Sequence, residues 1–173
     1  MFIDIIEIER EGISFDHRLD LSSMTSSGAD ALRVIQAKMS GHAEREDVGV
    51  ILTARLRARL ELACSRCTEP FEIDLDLPFR LTLAPEEVAR EAGREEAEDD
   101  DASLFYAAEG KADLVQIATE QIYLNLPLKP VCKGNCKGLC PRCGANRNVT
   151  ECGCSGESID PRLAPLLQFK KRR

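Results

Sequence analysis

Tryptophan is absent from this 173-residue chain, and tyrosine and histidine occur only twice each. With aromatics at 5%, the stacking platforms that grip unpaired bases are poorly supplied. His17 and His42 stand far apart and unaccompanied, and both read as ordinary surface or strand residues. No paired-histidine zinc motif, phosphate-binding glycine loop or nucleophile elbow occurs, so no enzyme is expected. Nor does any apolar run approach the roughly 18 residues that span a bilayer. The opening Met1–Arg10 carries acids where a signal peptide needs a basic head and a long apolar run. The expectation is a cytoplasmic protein with no membrane association and no small-molecule substrate. A hydrophobic content of 43% and charged content of 31% fit one globular domain, with room for a small appended module.

Eight cysteines break this plain pattern, and six of them crowd between Cys132 and Cys154. Disulfides rarely persist in a reducing compartment, so close cysteine spacing there points to metal binding or redox chemistry. The pattern is Cys64-x-x-Cys67, Cys132-x-x-x-Cys136-x-x-x-Cys140-x-x-Cys143 and Cys152-x-Cys154. A pair two residues apart lets both sulfurs reach one ion, and zinc favours four such ligands in a tetrahedron. Gly134, Gly138, Gly144 and Gly153 fall where knuckle turns need unusual backbone angles. Two structural Zn2+ sites are expected. In the preferred partition Cys64, Cys67, Cys132 and Cys136 share one ion, and Cys140, Cys143, Cys152 and Cys154 the other. The alternative groups Cys132 to Cys143 on one ion and the remaining four on the second. Either arrangement fills the tetrahedron and leaves no position for catalytic water. A thiol–disulfide reading of Cys64-Ser-Arg-Cys67, with Arg66 lowering a thiol pKa, competes weakly, because this pair caps a hairpin and not a strand-to-helix junction.

Charge is unevenly spread. The net of −7 combines −5 over residues 1–85 (15 acids, 10 bases), −9 over 86–128 (12 acids, 3 bases) and +7 over 129–173 (3 acids, 10 bases). Only the C-terminal third is suited to meet nucleic acid. Two tetrathiolate zinc sites, each about −2, would lower its effective charge to roughly +3. The candidate RNA-contacting residues are Lys133, Lys137, Arg142 and Arg147 in the cysteine-rich loops, with Lys170, Lys171, Arg172 and Arg173 at the end. Asn146 and Asn148 are placed to add hydrogen bonds.

Hydrophobic periodicity gives the frame. From Val50 to Leu62 apolar residues alternate with Thr53, Arg55, Arg57, Arg59 and Glu61, and Phe71 to Leu83 alternate in the same way. These are two long strands of an antiparallel hairpin with the first cysteine pair at its tip. If Ala63 faces Pro70, Arg59 opposes Asp74 and Arg57 opposes Asp76, so the arginine row is internally paired and not an RNA surface. Phe2–Ile8 and Arg33–Arg45 also read as strands, the latter with a short helix as the alternative. Ser22–Gly28 reads as a loop. Glu86–Asp101 holds nine acids against Arg90 and Arg94 and reads as a solvated linker. Asp113 is a helix N-cap with Gln116 as its capping-box partner; Leu114, Ile117, Ala118, Ile122 and Leu126 fall at helical spacing to pack on the sheet's apolar face, and Pro127 ends the helix. Asp160-Pro161 opens a second, shorter helix.

The expected fold is α+β: an antiparallel β-rich core, one or two packed helices and a zinc-stabilised cysteine-rich C-terminal segment. Its parts are a β region at 1–85, an acidic flexible linker at 86–111, and a helix, zinc-knuckle and basic-tail segment at 112–173, together one cooperative domain. Several motifs occur in order: Cys64-Ser-Arg-Cys67, Leu124-Asn-Leu-Pro127-Leu, the run from Cys132 through Cys140-Pro-Arg-Cys143-Gly-Ala-Asn146-Arg-Asn148, Cys152-Gly-Cys154 and Asp160-Pro-Arg-Leu-Ala164-Pro-Leu. This succession, over roughly residues 50–168, resembles the YceD family, bacterial and plastid proteins needed for accumulation of large-subunit ribosomal RNA. The resemblance implies a non-enzymatic factor in the synthesis, processing or stability of that RNA. Its partners would be large-subunit rRNA or its precursor, ribosomal proteins or rRNA-processing enzymes. The rival readings are a structural-zinc protein–protein scaffold and, behind it, a thiol redox or zinc-handling protein.

Overall fold

The computed structural model describes residues 1–6, 8, 11–25, 32–46, 49–85, 103–107 and 110–154. Among the described residues the elements, in chain order, are β1 (Phe2–Asp4), β2 (Ile13–Leu19), β3 (Leu32–Glu46), β4 (Gly49–Ala63), β5 (Pro70–Pro85), β6 (Ser103–Ala107), β7 (Lys111–Asp113) and the helix α1 (Leu114–Asn125). A five-stranded sheet runs β2-β3-β4-β5-β6, and β1 pairs with β7 in a separate two-stranded ribbon.

The β4–β5 hairpin has the preferred register and not one slipped by two: Ala63 opposes Pro70, Arg59 opposes Asp74 and Arg57 opposes Asp76. All seven even-numbered residues from Val50 to Leu62 are buried, because a period of two puts them on one face of the pleat. The polar face is paired along its length. Arg59 grips Asp74 with two guanidinium nitrogens (2.8 and 3.3 Å). Asp76 takes its two-pronged contact from the diagonal Arg55, leaving Arg57 at 3.7 Å.

β3 is a strand throughout, not a helix. Its pairing with β4 shifts between Val34 and Gln36, so Ile35 is the extra residue of a bulge and is 42% exposed. A bulge reverses which parity faces inward: Leu32 is buried before it, and Ala37, Met39 and Ala43 after it. Gly41 allows close approach of β4, since a Cβ there would lie 2.6 Å from the Thr53 carbonyl oxygen and 2.7 Å from Ala54 Cβ.

Two expectations need correction. Within the span assigned to an acidic linker, Ser103–Ala107 form β6, which pairs parallel with Leu81–Pro85 of β5; five residues at the edge of an acidic stretch carry too little alternation to reveal a strand. Residues 86–102 lie outside the described residues. Second, Asp113 caps α1 by accepting from the Val115 N–H at 2.9 Å, but Gln116 does not complete a capping box. Its amide turns along the helix to Glu120 at 3.0 Å, the ordinary i,i+4 partner.

α1 lays Leu114, Ile117, Ala118 and Ile122 into the same core as Met39, Leu52, Leu56, Leu60 and Leu83. Each large side chain buried this way contributes roughly 1.5–3 kcal/mol. The helix stops at Leu126, which is already extended (φ −67, ψ 137), as the residue before a proline must be. The helix expected from Asp160 lies outside the described residues.

Candidate metal centres and their basic face

The connection between β4 and β5 is a turn closed by backbone bonds: Cys64 N–H donates to Glu69 C=O (3.0 Å) and Thr68 N–H to Cys64 C=O (2.9 Å). The same turn recurs in the C-terminal segment, where Cys140 N–H donates to Ala145 C=O (2.8 Å) and Gly144 N–H to Cys140 C=O (2.9 Å). Both are knuckles in which the residue after the second cysteine is left-handed. Gly144 takes φ 72 there, and Thr68 is forced to φ 62. Of the glycines expected to serve knuckle turns, Gly138 (φ 70) and Gly144 have positive φ; Gly134 and Gly153 do not.

Each knuckle meets a second cysteine pair. Cys64, Cys67, Cys132 and Cys136 form one cluster and Cys140, Cys143, Cys152 and Cys154 another, with all sulfurs of each within 4.8 Å of one another. This is the preferred partition of the spacing, not its alternative. In the inner cluster, Cys64 and Cys136 sulfurs lie 3.8 Å apart, as do those of Cys67 and Cys132. Four thiolates at a zinc–sulfur distance of about 2.3 Å would stand at the corners of a tetrahedron of edge roughly 3.8 Å. The donor set therefore fits a tetrahedral, thiophilic dication.

Electrostatics lead to the same fit. Burial pushes the Cys64 thiol up, but the backbone N–H groups of Cys132, Cys67 and Arg66 outweigh it and hold the group at about 6. Cys132 is pushed up to about 12 by burial and by the Cys136, Cys64 and Cys67 sulfurs. The outer cluster divides likewise. The N–H groups of Cys143 and Arg142 hold Cys140 at about 6, and the adjacent Cys143 raises Cys154 to about 12. One thiolate in each cluster opposes the next, and only a bound cation stabilises four together.

The settings differ. Cys64, Cys67 and Cys136 are buried, and Phe71 and Val131 pack around them. Outside, Cys143 and Cys154 are exposed. The inner cluster also staples distant segments: Ser65 N–H donates to Pro130 C=O (2.8 Å), Leu139 N–H to Arg66 C=O (3.0 Å), and Arg66 Nη1 to Cys136 C=O (3.0 Å). Arg66 is thus a structural tie.

Lys133, Lys137, Arg142 and Arg147 are all exposed, and none forms an ion pair among the described residues. Lys137, Arg142 and Arg147 line one open cleft of about 720 Å³ together with Cys140, Cys152, Cys154 and Glu151. Lys133 lies outside it, and Lys170 to Arg173 fall outside the described residues. Asn146 and Asn148 are not presented outward. Asn146 Nδ2 donates to Glu69 Oε1 (3.3 Å), and the Asn148 amide is used entirely within the protein (Oδ1 with Lys137 N–H, Nδ2 with Cys136 Sγ and Asn146 Oδ1). Their inward role carries no sequence signal, because asparagine in a glycine-rich loop reads as surface. The two histidines are ordinary strand residues: His42 Nδ1 bonds Ser14 Oγ at 2.9 Å, and His17 stacks beside Phe15.

Comparison with known proteins agrees with the motifs. The family described as large ribosomal RNA subunit accumulation protein YceD matches residues 52–170. An uncharacterized protein of Mycobacterium tuberculosis is 28% identical over 173 residues, covering 98% of this chain and 81% of the relative. The chloroplastic large ribosomal RNA subunit accumulation protein YCED homolog 1 of Zea mays is 34% identical over 134 residues, 64% of this chain and 45% of the relative. Its Arabidopsis thaliana counterpart is 30% identical over 138 residues, 68% and 43%. No solved structure matches the chain. Among the described residues no helix is long and apolar enough to cross a membrane.

Proposed function

The chain belongs to the YceD family of large ribosomal RNA subunit accumulation proteins, a family of non-enzymatic factors, and from that membership we propose that its cysteine-rich segment is a zinc-built docking face for large-subunit rRNA or its precursor. The two cysteine clusters would each hold one Zn2+, whose chemistry there is to neutralise and cross-link thiolates. Every ligand position is filled by the chain's own sulfurs, so the sites organise backbone and activate no water.

The observation that carries the reading is the convergence of Lys137, Arg142 and Arg147, without carboxylate partners among the described residues, on one cleft beside the outer cluster. Cations held on a rigid loop meet phosphates at little entropic cost, and phosphate contacts set position and not sequence. Shape-and-phosphate recognition of folded RNA suits a chain with so few aromatics. Lys133 and the terminal Lys170, Lys171, Arg172 and Arg173 would extend the contact. The opposite face of the hairpin offers RNA little, because its arginines are committed to Asp74 and Asp76. Eight free cysteines favour a reducing compartment, the cytoplasm in a bacterium. The packing of α1 into the sheet's core favours residues 1–85 and 112–173 folding as one unit.

Ultraviolet crosslinking in cells, with sequencing of the attached RNA, tests this. Enrichment at discrete large-subunit rRNA or precursor positions is expected. It should be lost in a Lys133→Ala, Lys137→Ala, Arg142→Ala, Arg147→Ala variant that still binds zinc. Background-level RNA with zinc intact would transfer the cleft to an acidic protein partner, such as a ribosomal protein or an rRNA-processing enzyme. Loss of activity in Cys64→Ser with fold and metal content unchanged would point to thiol chemistry.

A further inference from the structure

The two clusters are joined by one side chain that belongs to neither. Asn148 lies between Cys143 and Cys152, in the loop that the outer cluster closes, yet its Nδ2 donates to Cys136 Sγ of the inner cluster at 3.3 Å. Its orientation is fixed from both ends. Oδ1 accepts the Lys137 N–H at 2.9 Å, so the amide oxygen must face Lys137 and the NH2 group must face the sulfur. Nδ2 also reaches Asn146 Oδ1 at 2.9 Å, and that same oxygen accepts the Asn148 N–H at 3.0 Å. Asn146 in turn is tied to Glu69 beside the inner knuckle. No other side-chain N–H donates to a cluster sulfur among the described residues; the remaining N–H donors are backbone.

A donor aimed at a thiolate stabilises the negative sulfur that a cation needs, and groups that orient ligands in this way are worth about 10–100-fold in metal affinity. Here the donor stands on a loop whose shape depends on a different metal site. With the outer cluster empty, the span from Cys143 to Cys152 loses its closing cross-link and is held by backbone bonds such as Arg147 N–H to Gly138 C=O (2.9 Å) and Thr150 N–H to Asn146 C=O (2.9 Å), which place the Asn148 amide less tightly.

We propose that Asn148 is a positioning residue that makes the inner site's metal affinity depend on occupancy of the outer site. The two sites are then coupled, so that by linkage the inner ion also tightens the outer one. The proposal rests on the metal reading above.

Cadmium NMR of the reduced full-length chain tests it, using Cd2+ of a spin-active isotope as the probe. Two tetrathiolate resonances are expected, assigned through the cysteine Hβ protons, with a scalar coupling from the Asn148 side-chain amide proton to the inner cadmium. Competition with a chelator then reads each site's affinity. Emptying the outer site with Cys143→Ser plus Cys154→Ser should lower inner-site affinity about 10-fold and remove the amide coupling. Asn148→Ala should cost about the same, and the combined variant no more than either alone. Asn148→Asp keeps an acceptor for the Lys137 N–H but has no proton for the sulfur. It should show the same loss, with the metal-bound melt lowered by no more than the roughly 1.4 kcal/mol that a 10-fold change in affinity carries, which separates a lost donor from a collapsed loop. Additive losses, wild-type affinity in Asn148→Asp, or an amide coupling that survives outer-site emptying would overturn the coupling alone. Absence of any tetrathiolate resonance would overturn the metal reading and this inference with it.

Discussion

The two knuckles share a backbone pattern and a ligand set, but they are placed in opposite surroundings. The inner one grows from the end of a long β-hairpin, is buried under Phe71 and Val131, and ties residues near 64 to residues near 136. The outer one gathers four cysteines from within fifteen residues, leaves Cys143 and Cys154 in solvent, and borders the basic cleft. The same chemistry is suited to two tasks: one cluster closes the fold, and the other shapes a surface.

The largest expected consequence of this division is in stability. Cys67→Ser should unfold the hairpin tip and cost about 4 kcal/mol where free metal stands about 1,000-fold above its dissociation constant. Cys143→Ser should remove one metal equivalent and cost no more than about 1.4 kcal/mol, the 10-fold in affinity passed on to the inner site. Melts paired with metal analysis read both, and equal losses from the two substitutions would erase the distinction. Next in size is the order of metal release. Protons compete with metal for thiolates, so on acidification, or with chelator at neutral pH, one equivalent should leave quickly from the exposed cluster and one slowly from the buried one. A single release phase would mean that exposure does not set the rates.

A subtler contrast lies at the residue after each knuckle. Left-handed backbone costs a side chain roughly 1–2 kcal/mol. Gly144→Thr should therefore destabilise the outer loop by about that amount, while Thr68→Gly should stabilise the chain by about 0.5–1 kcal/mol once glycine's added chain entropy is counted. Denaturant midpoints with both metals bound check the exchange. The smallest effect belongs to the hairpin's polar face. Hydrogen bonds from Arg59 and Arg55 hold Asp74 and Asp76 below the usual carboxylate range. A lowered folded pKa means stability present above the unfolded value near 3.8 and lost as pH falls through the folded one. Asp76→Asn should flatten that acid-side loss slightly, because the pair is solvent-exposed and screened.

What the sequence made legible follows from how local each signal is. The β4–β5 hairpin could be read because a strict period of two fixes which face is buried from Val50 to Leu62; a slip by two keeps that face, so the pairing of Ala63 with Pro70 was one of two registers the pattern allowed. β3 was ambiguous for a physical reason: the bulge at Ile35 shifts the apolar parity midway, which blurs a strand's alternation. The cysteine spacing allowed two partitions, and the fold separates them by bringing the hairpin tip to Cys132 and Cys136. Asn148 was misread because its role depends on a contact between two separately closed loops. Gln116 was misread because a capping box and an i,i+4 pair look alike in one dimension.

The staple at the hairpin tip has a consequence for biosynthesis. Cys67 leaves the ribosome well before Cys132, and at about 5–20 residues per second the intervening 65 positions take roughly 3–13 s to make. Throughout that interval the nascent chain carries half of the inner cysteine cluster. Two thiols in a preformed turn, with no partner pair yet synthesised, are open to oxidation or to capture by another soft ion. The hairpin tip must therefore wait for its own C-terminal segment before the inner cluster is complete.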